Sequence, residues 1–186
     1  MRLAKPRIPP LADSELTAEQ KEVLKPFGDR VLNIFRTLAR APKALDRFNA
    51  WGGYILSRRN DLKPREREIV ILRTGFLCKS GYEWTQHARI GRNEGLTDDE
   101  IARIKKGADA GWNAADGALI RASDELHKDQ FVSDATWKAL GEHFTQKQCM
   151  DVVFTAGQYT QVSMMLNTFG VQLDEGQTLD PDLKGF

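Results

Sequence analysis

Between residues 62 and 87 the apolar positions fall at helical spacing, stop at one polar turn and resume. Ile69, Val70, Leu72, Phe76 and Leu77 spread over a broad surface, as a helix buried on more than one side requires. Pro64 suits a first helical position and Lys79-Ser80-Gly81 suits a turn. A central helix opening at 62–67 and a second one over 82–93 are therefore predicted. The β-branched run Ile69-Val70-Ile71 also suits a strand. No hairpin partner and no regular alternation of strands and helices accompanies it, so the helix is preferred.

The remaining chain is punctuated in the same manner. Thr17-Ala18-Glu19-Gln20 is a capping box that opens a short helix ending near Pro26-Phe27-Gly28. Residues 31–39 carry apolar side chains at helical spacing and stop before Pro42, which starts a helix expected to bury Leu45, Phe48, Ala50-Trp51, Tyr54-Ile55 and Leu56. Gly95 is placed to end the second helix of the centre, and Thr97-Asp98-Asp99-Glu100 is another capping box. A helix over about 114–128 follows, then two capped by Ser133 and Thr145, the last stopping near Gly170. Pro6, Pro9 and Pro10 mark residues 1–15 as an extended arm on a surface or on a neighbouring subunit, and residues 173–186 read as a polar tail, draped or mobile. The expectation is one all-α domain over 1–186 with roughly eight helices.

With 186 residues, 41% of them hydrophobic, the chain suits a single domain with a substantial core. A net charge of +1, with Lys and Arg spread among the acids, excludes a strong field for nucleic acid or an anionic membrane. No apolar run reaches the roughly 18 residues of a membrane span, and no secretory signal is present, so a cytoplasmic protein is expected. In that compartment Cys78 and Cys149 read as reduced thiols, most simply small core hydrophobes. Trp51, Trp112, Trp137 and Met164-Met165 read as core or subunit contacts.

Charge patterning adds the chemistry. Glu83 and His87 stand four residues apart and so share a helix face, and both types move protons near neutral pH. The same spacing also describes an ordinary surface pair. Glu68 lies within the apolar run, either as a catalytic acid or as a buried structural acid paired with Arg73. Three histidines without close spacing make no metal cluster, and no glycine-rich phosphate loop is present.

The string Leu62-x-Pro64-Arg65-x-Arg67-Glu68-x-x-Ile71-Leu72-Arg73, then Gly81-Tyr82-Glu83-Trp84-x-x-His87 and Gly95-Leu96-Thr97-Asp98-x-Glu100-Ile101, resembles the carboxymuconolactone decarboxylase family. That family's superfamily includes alkylhydroperoxidase D-like thiol peroxidases. The resemblance implies a helical subunit assembling into homotrimers or homohexamers. In the peroxidase branch a Cys-x-x-Cys pair precedes the histidine; here those positions hold Ser80 and Glu83, and the branch's glutamate corresponds to Glu68. Cys78 lies two residues too early and has no acid–base partner at helical spacing.

The decarboxylase branch needs no thiol, metal or organic cofactor. It implies an acid–base enzyme on a small carboxylated lactone or related acid of aromatic catabolism. His87 is then the proton donor or acceptor, tuned by Glu83 and Glu68. Substrate contacts are expected from Arg73, Tyr82, Trp84 and Tyr159, with Gln158 also within reach. The alternatives are a thiol-dependent hydroperoxide reductase and a non-catalytic helical oligomer that kept the fold. Convergence of Glu68, Glu83 and His87 on one enclosed pocket favours the enzyme; a solvent-facing His87 does not. His87→Ala is expected to abolish activity and leave the fold intact.

Overall fold

Pro64 opens the helix around which the chain packs, and every residue from Arg67 to Gly75 on it is buried. The computed structural model describes residues 1–185, and over these it contains α-helices and 3₁₀ turns without a strand. The helices are α1 (Ala18–Leu24), α2 (Asn33–Leu38), α3 (Pro42–Leu56), α4 (Pro64–Leu77), α5 (Gly81–Asn93), α6 (Asp98–Ile104), α7 (Ala114–Asp129), α8 (Asp134–Gly141) and α9 (Gln146–Phe169). Nine α-helices among the described residues thus stand where roughly eight were expected. The run at 69–71 is helical because α5, α7 and α9 close around it. Burial on all sides makes a continuous apolar stretch compatible with a helix.

Local signals start and stop these elements. The side chains of Thr17, Thr97 and Thr145 each accept from the backbone N–H three residues on, and Ser133 does the same for α8. Gly170 ends α9 at φ +70°. A Cβ there would also come within 3.1 Å of the Lys5 carbonyl oxygen, because the N-terminal arm crosses this end. Arg7 and Ile8 donate backbone N–H groups to the Phe169 carbonyl, and Leu11 is buried with Leu24, Ala39 and Leu45. The arm therefore lies on its own subunit.

The main core joins α4, α5, α7, α8 and α9 through Ile69, Leu72, Trp84, Leu119, Leu140 and Val152. A smaller cluster sets Ile34 of α2 and Tyr82 of α5 against Val162 and Leu166 of α9. The tail after α9 is draped: Val171 and Leu183 are buried, and the Met1 amino group donates to the Leu183 carbonyl. Trp51, Trp137 and Met164, expected as core or subunit contacts, are exposed on this chain, whereas Trp112 packs against the core. Leu56, expected on the buried side of α3, is exposed as well. Among the described residues no helix is long and apolar enough to cross a membrane.

Candidate functional site

The turn at 78–80 sets α5 back against α4. Lys79 takes φ +54° and the Ser80 N–H donates to the Gly75 carbonyl, so α5 begins beside the C-terminal half of α4. Glu68, more than two turns back from that end, then faces the side of α5 that carries Glu83 and His87. His87 Nδ1 lies 2.7 Å from Glu68 Oε2 and Nε2 lies 3.0 Å from Glu83 Oε1. The first contact is an aligned hydrogen bond; the second is not, and Glu83 Oε1 is left without a hydrogen-bond partner. The Tyr159 ring of α9 meets the imidazole edge-on at 4.9 Å between centroids.

All three charged side chains are inside, with Glu68 1%, Glu83 4% and His87 7% exposed. Burial by itself pulls the imidazole toward the neutral form. The charges of Glu68 and then Glu83, with the Glu68 hydrogen bond and the close Glu83 contact, overcome this and push His87 up to about 10. His87 is thus an imidazolium at neutral pH, clamped by two carboxylates. Tyr159 is held protonated by burial first and then by the Glu83 and Glu68 charges. Among the described residues no group of three or more His, Cys, Asp or Glu side chains has the geometry to hold a metal ion.

The clamp opens on a cavity of about 490 Å³. Phe27, Leu32, Ile34, Phe35, Phe48 and Val162 make its apolar walls, and Phe27 and Phe35 stack at 3.8 Å. Tyr82, Glu83, Gln86, His87, Gln158 and Tyr159 supply the polar side, with Arg89 also part of the lining. Tyr82 donates its hydroxyl to Asp174 Oδ2 at 2.6 Å, and Gln86 Nε2 donates to the same oxygen at 2.7 Å. The Gln158 Oε1 atom is buried without a hydrogen-bond partner. A polar group left this way is costly unless something else bonds to it.

Two residues expected at the site stand elsewhere. Arg73 is five residues after Glu68 and points to another side of α4, where it pairs with Asp124. Its Nη1 donates to the carbonyls of Ile104 at 2.8 Å and Lys105 at 3.0 Å, neutralising the C-terminal end of α6. Trp84 follows Glu83 on α5 and therefore faces the main core, packing on Phe76, while its Nε1 donates to Asp180 at 2.9 Å. Sequence reasoning missed Gln86, Arg89 and the aromatic walls from α2, α3 and the Lys25–Phe27 turn. Gln86 and Arg89 sit at helical spacing from Tyr82, which is the one signal that was available.

Cys78 lies outside this lining. Its Sγ is 3.7 Å from His127 Nδ1 of α7, a partner that helical spacing within one element does not reveal. Burial raises the thiol above its ordinary range, so the sulfur stays protonated at neutral pH.

Gly75 makes room for the clamp, since a Cβ there would lie 3.2 Å from Glu83 Cγ. Gly75→Ala should gain helix propensity and displace Glu83 by a few tenths of an ångström. The expected result is an unfolding midpoint near that of the native protein together with a lowered His87 titration midpoint by nuclear magnetic resonance. An unchanged titration would mean that Glu83 does not help to hold the imidazolium.

Residues 42–125 match the model of the carboxymuconolactone decarboxylase family. No curated protein matches the sequence. Among solved structures, the fold is similar to an alkylhydroperoxidase AhpD core, an uncharacterized peroxidase-related protein from Ralstonia eutropha JMP134, with a TM-score of 0.77 at 22% identity, covering 92% of this chain and 95% of that one. An uncharacterized peroxidase-related protein from Silicibacter sp. TM1040 gives a TM-score of 0.74 at 15% identity, over 94% of this chain and 92% of that one. The debrominase Bmp8, with one cysteine replaced by alanine and in complex with 2,3,4-tribromopyrrole, gives 0.73 at 10% identity, over 92% and 94% of the two chains. At these identities the likeness establishes the fold.

Proposed function

We propose that this chain, whose residues 42–125 match the carboxymuconolactone decarboxylase family model and whose fold is similar to alkylhydroperoxidase D-like structures, is a thiol-independent acid–base enzyme acting on a small carboxylated lactone or a related acid. The observation that carries this reading is the buried imidazolium of His87, held between Glu68 and Glu83 at the wall of a largely apolar cavity. Matched families and folds include decarboxylases, peroxidase-related proteins and a debrominase, so the reaction has to be argued from the site.

In the proposed step the bond between a substrate carbon and its carboxylate breaks, and carbon dioxide leaves. The electron pair passes into the conjugated carbonyl system and returns to carbon as His87 donates a proton. Glu68 fixes the ring through Nδ1, so Nε2 is the donor; its Glu83 contact makes no aligned hydrogen bond, and His87 lines the cavity that would hold the accepting carbon. Solvent reprotonates the imidazole, which the two carboxylates favour. Apolar walls keep the proton transfer away from bulk water. Nothing in this sequence of events needs a sulfur atom.

Peroxide reduction is the second reading, favoured by the contact between Cys78 and His127. Purified protein and its Cys78→Ala variant should be assayed on a carboxymuconolactone-type substrate and on a hydroperoxide with a thiol donor. Carbon dioxide release that survives Cys78→Ala is the expected result. Peroxide turnover that disappears with Cys78 would move the active centre to the α4–α7 contact and overturn the proposal.

A further inference from the structure

Arg89 is the cation of α5 that has no assigned work. Arg92 on the same helix pairs with Asp98, and Arg65 and Arg73 elsewhere in the fold pair with Asp116 and Asp124. Arg89 is exposed, lines the cavity, and makes no ion pair or hydrogen bond among the described residues. Its place on the helix is also defined. Tyr82, Gln86 and Arg89 are spaced along one edge of α5, and Glu83, His87 and Ile90 along the adjoining edge, all six lining the cavity.

We propose that Arg89 is the specificity residue of this cavity: its guanidinium anchors a substrate carboxylate at the mouth, so that the ligand is an acid with a flat apolar body whose opposite, reacting end lies against His87 and Gln158. The inference rests on the acid–base reading for the identity of the reacting end, but the anchoring itself does not.

Electrostatics favours this orientation over the reverse. Glu68 and Glu83 outnumber the single His87 imidazolium between them, and Arg67, the buried cation that also acts on Tyr159, gives a guanidinium N–H to the Ser57 carbonyl, so a carboxylate brought beside the two glutamates is repelled. The exposed guanidinium carries the compensating charge and offers a planar fork that matches a carboxylate. Elsewhere in the lining Phe35, Phe48 and Val162 are apolar and suit an unsaturated or aromatic body. At the inner end the unpartnered Gln158 Oε1 and Glu83 Oε1 accept hydrogen bonds, so a neutral group with a donor, such as a hydroxyl, completes them. If the reaction releases carbon dioxide, the carboxyl lost is a second one, distinct from the group held by Arg89, and its departure relieves the repulsion it meets at the inner end.

Calorimetric binding of phenylacetate and of its neutral isostere phenylacetamide tests the anchor without any turnover. The native protein should bind the acid roughly ten- to a hundredfold tighter than the amide, the range expected when a charge-assisted hydrogen bond is made or lost. Arg89→Gln should remove that preference and leave amide binding unchanged, and Arg89→Lys should keep part of it. Arg92→Gln, which alters a paired neighbour of equal charge, should keep all of it. Equal affinity for acid and amide, absence of binding by either at millimolar concentration, or an equal loss in Arg92→Gln would each overturn the anchor. A preserved Arg89-dependent preference in a protein that releases no carbon dioxide would leave the anchor standing and count against the acid–base reading alone.

Discussion

His87→Ala should lower stability by about 3–5 kcal/mol at neutral pH, because it leaves Glu68 and Glu83 buried without their common cation. The expectation from sequence is that alanine leaves the fold intact. Burial changes that expectation, since uncompensated buried carboxylates must either be desolvated at great cost or take up protons. The variant should therefore regain stability as pH falls and the carboxyls become neutral. Glu68→Gln added to His87→Ala should also recover part of the loss. Carbon dioxide release should fall by roughly 10²–10⁴ with the proton donor gone. Urea unfolding of the single and double variants at neutral and acidic pH is the measurement. An unchanged midpoint in His87→Ala would mean that the ion cluster contributes nothing to the fold.

The parts of this structure that were legible are those set by near neighbours in sequence. Thr17, Thr97, Ser133 and Thr145 each cap the helix they precede, and Pro42 and Pro64 each open one, because these signals act within a single turn. Glu83 and His87 share a face for the same reason. Glu68 was placed beside them through the resemblance, and the hairpin of α4 on α5 supplies the physical cause. What stayed hidden depends on distant partners. Arg73 is held by Asp124 and Trp84 by Asp180, neither of which any local pattern couples to them. The tail, read as draped or mobile, is fastened because Asp174 receives the Asn33 N–H and the Tyr82 hydroxyl. The aromatic wall from α2 and α3 is likewise a product of packing rather than of any motif.

Glu83 connects the fold to the choice of chemistry. By resemblance its position and that of Ser80 are where the peroxidase branch keeps its thiols. Ser80 is fully buried and its hydroxyl has no hydrogen-bond partner, so it offers neither a nucleophile nor a route to one. Glu83 instead adds a second carboxylate to the imidazole. A histidine with one carboxylate partner can be poised near neutrality, whereas this one, with two, is driven well above it. Compared with that branch, a carboxylate at 83 gives a stronger hold on a proton in place of a sulfur centre, in keeping with the proposed donation to a strongly basic carbon.

Stability should decline as pH rises from about 6.5 to 10, and His87 should account for most of the slope. The sign follows from proton counting. In the folded protein the imidazole is pushed up to about 10, while in the unfolded chain it returns to its ordinary value near 6.5. Between these values the folded state holds one more proton than the unfolded state, so stability falls by about 1.4 kcal/mol per pH unit. The contribution is complete below the unfolded value and lost as pH passes the folded one. Three other groups titrate in the window. Burial lowers the Met1 amine, which works in the opposite direction, and burial raises Cys78 and Cys149, which adds a fall at the alkaline end. His87→Gln retains all three groups but leaves Glu68 and Glu83 without their cation, so proton uptake by these carboxyls shapes its profile at the acid end and the imidazole is read from the alkaline part of the window. There the native protein should show the steep decline and the variant a nearly flat profile up to the thiol range. Parallel profiles would mean that the imidazole is neutral in the folded state, which would remove the proton donor on which the proposed reaction depends.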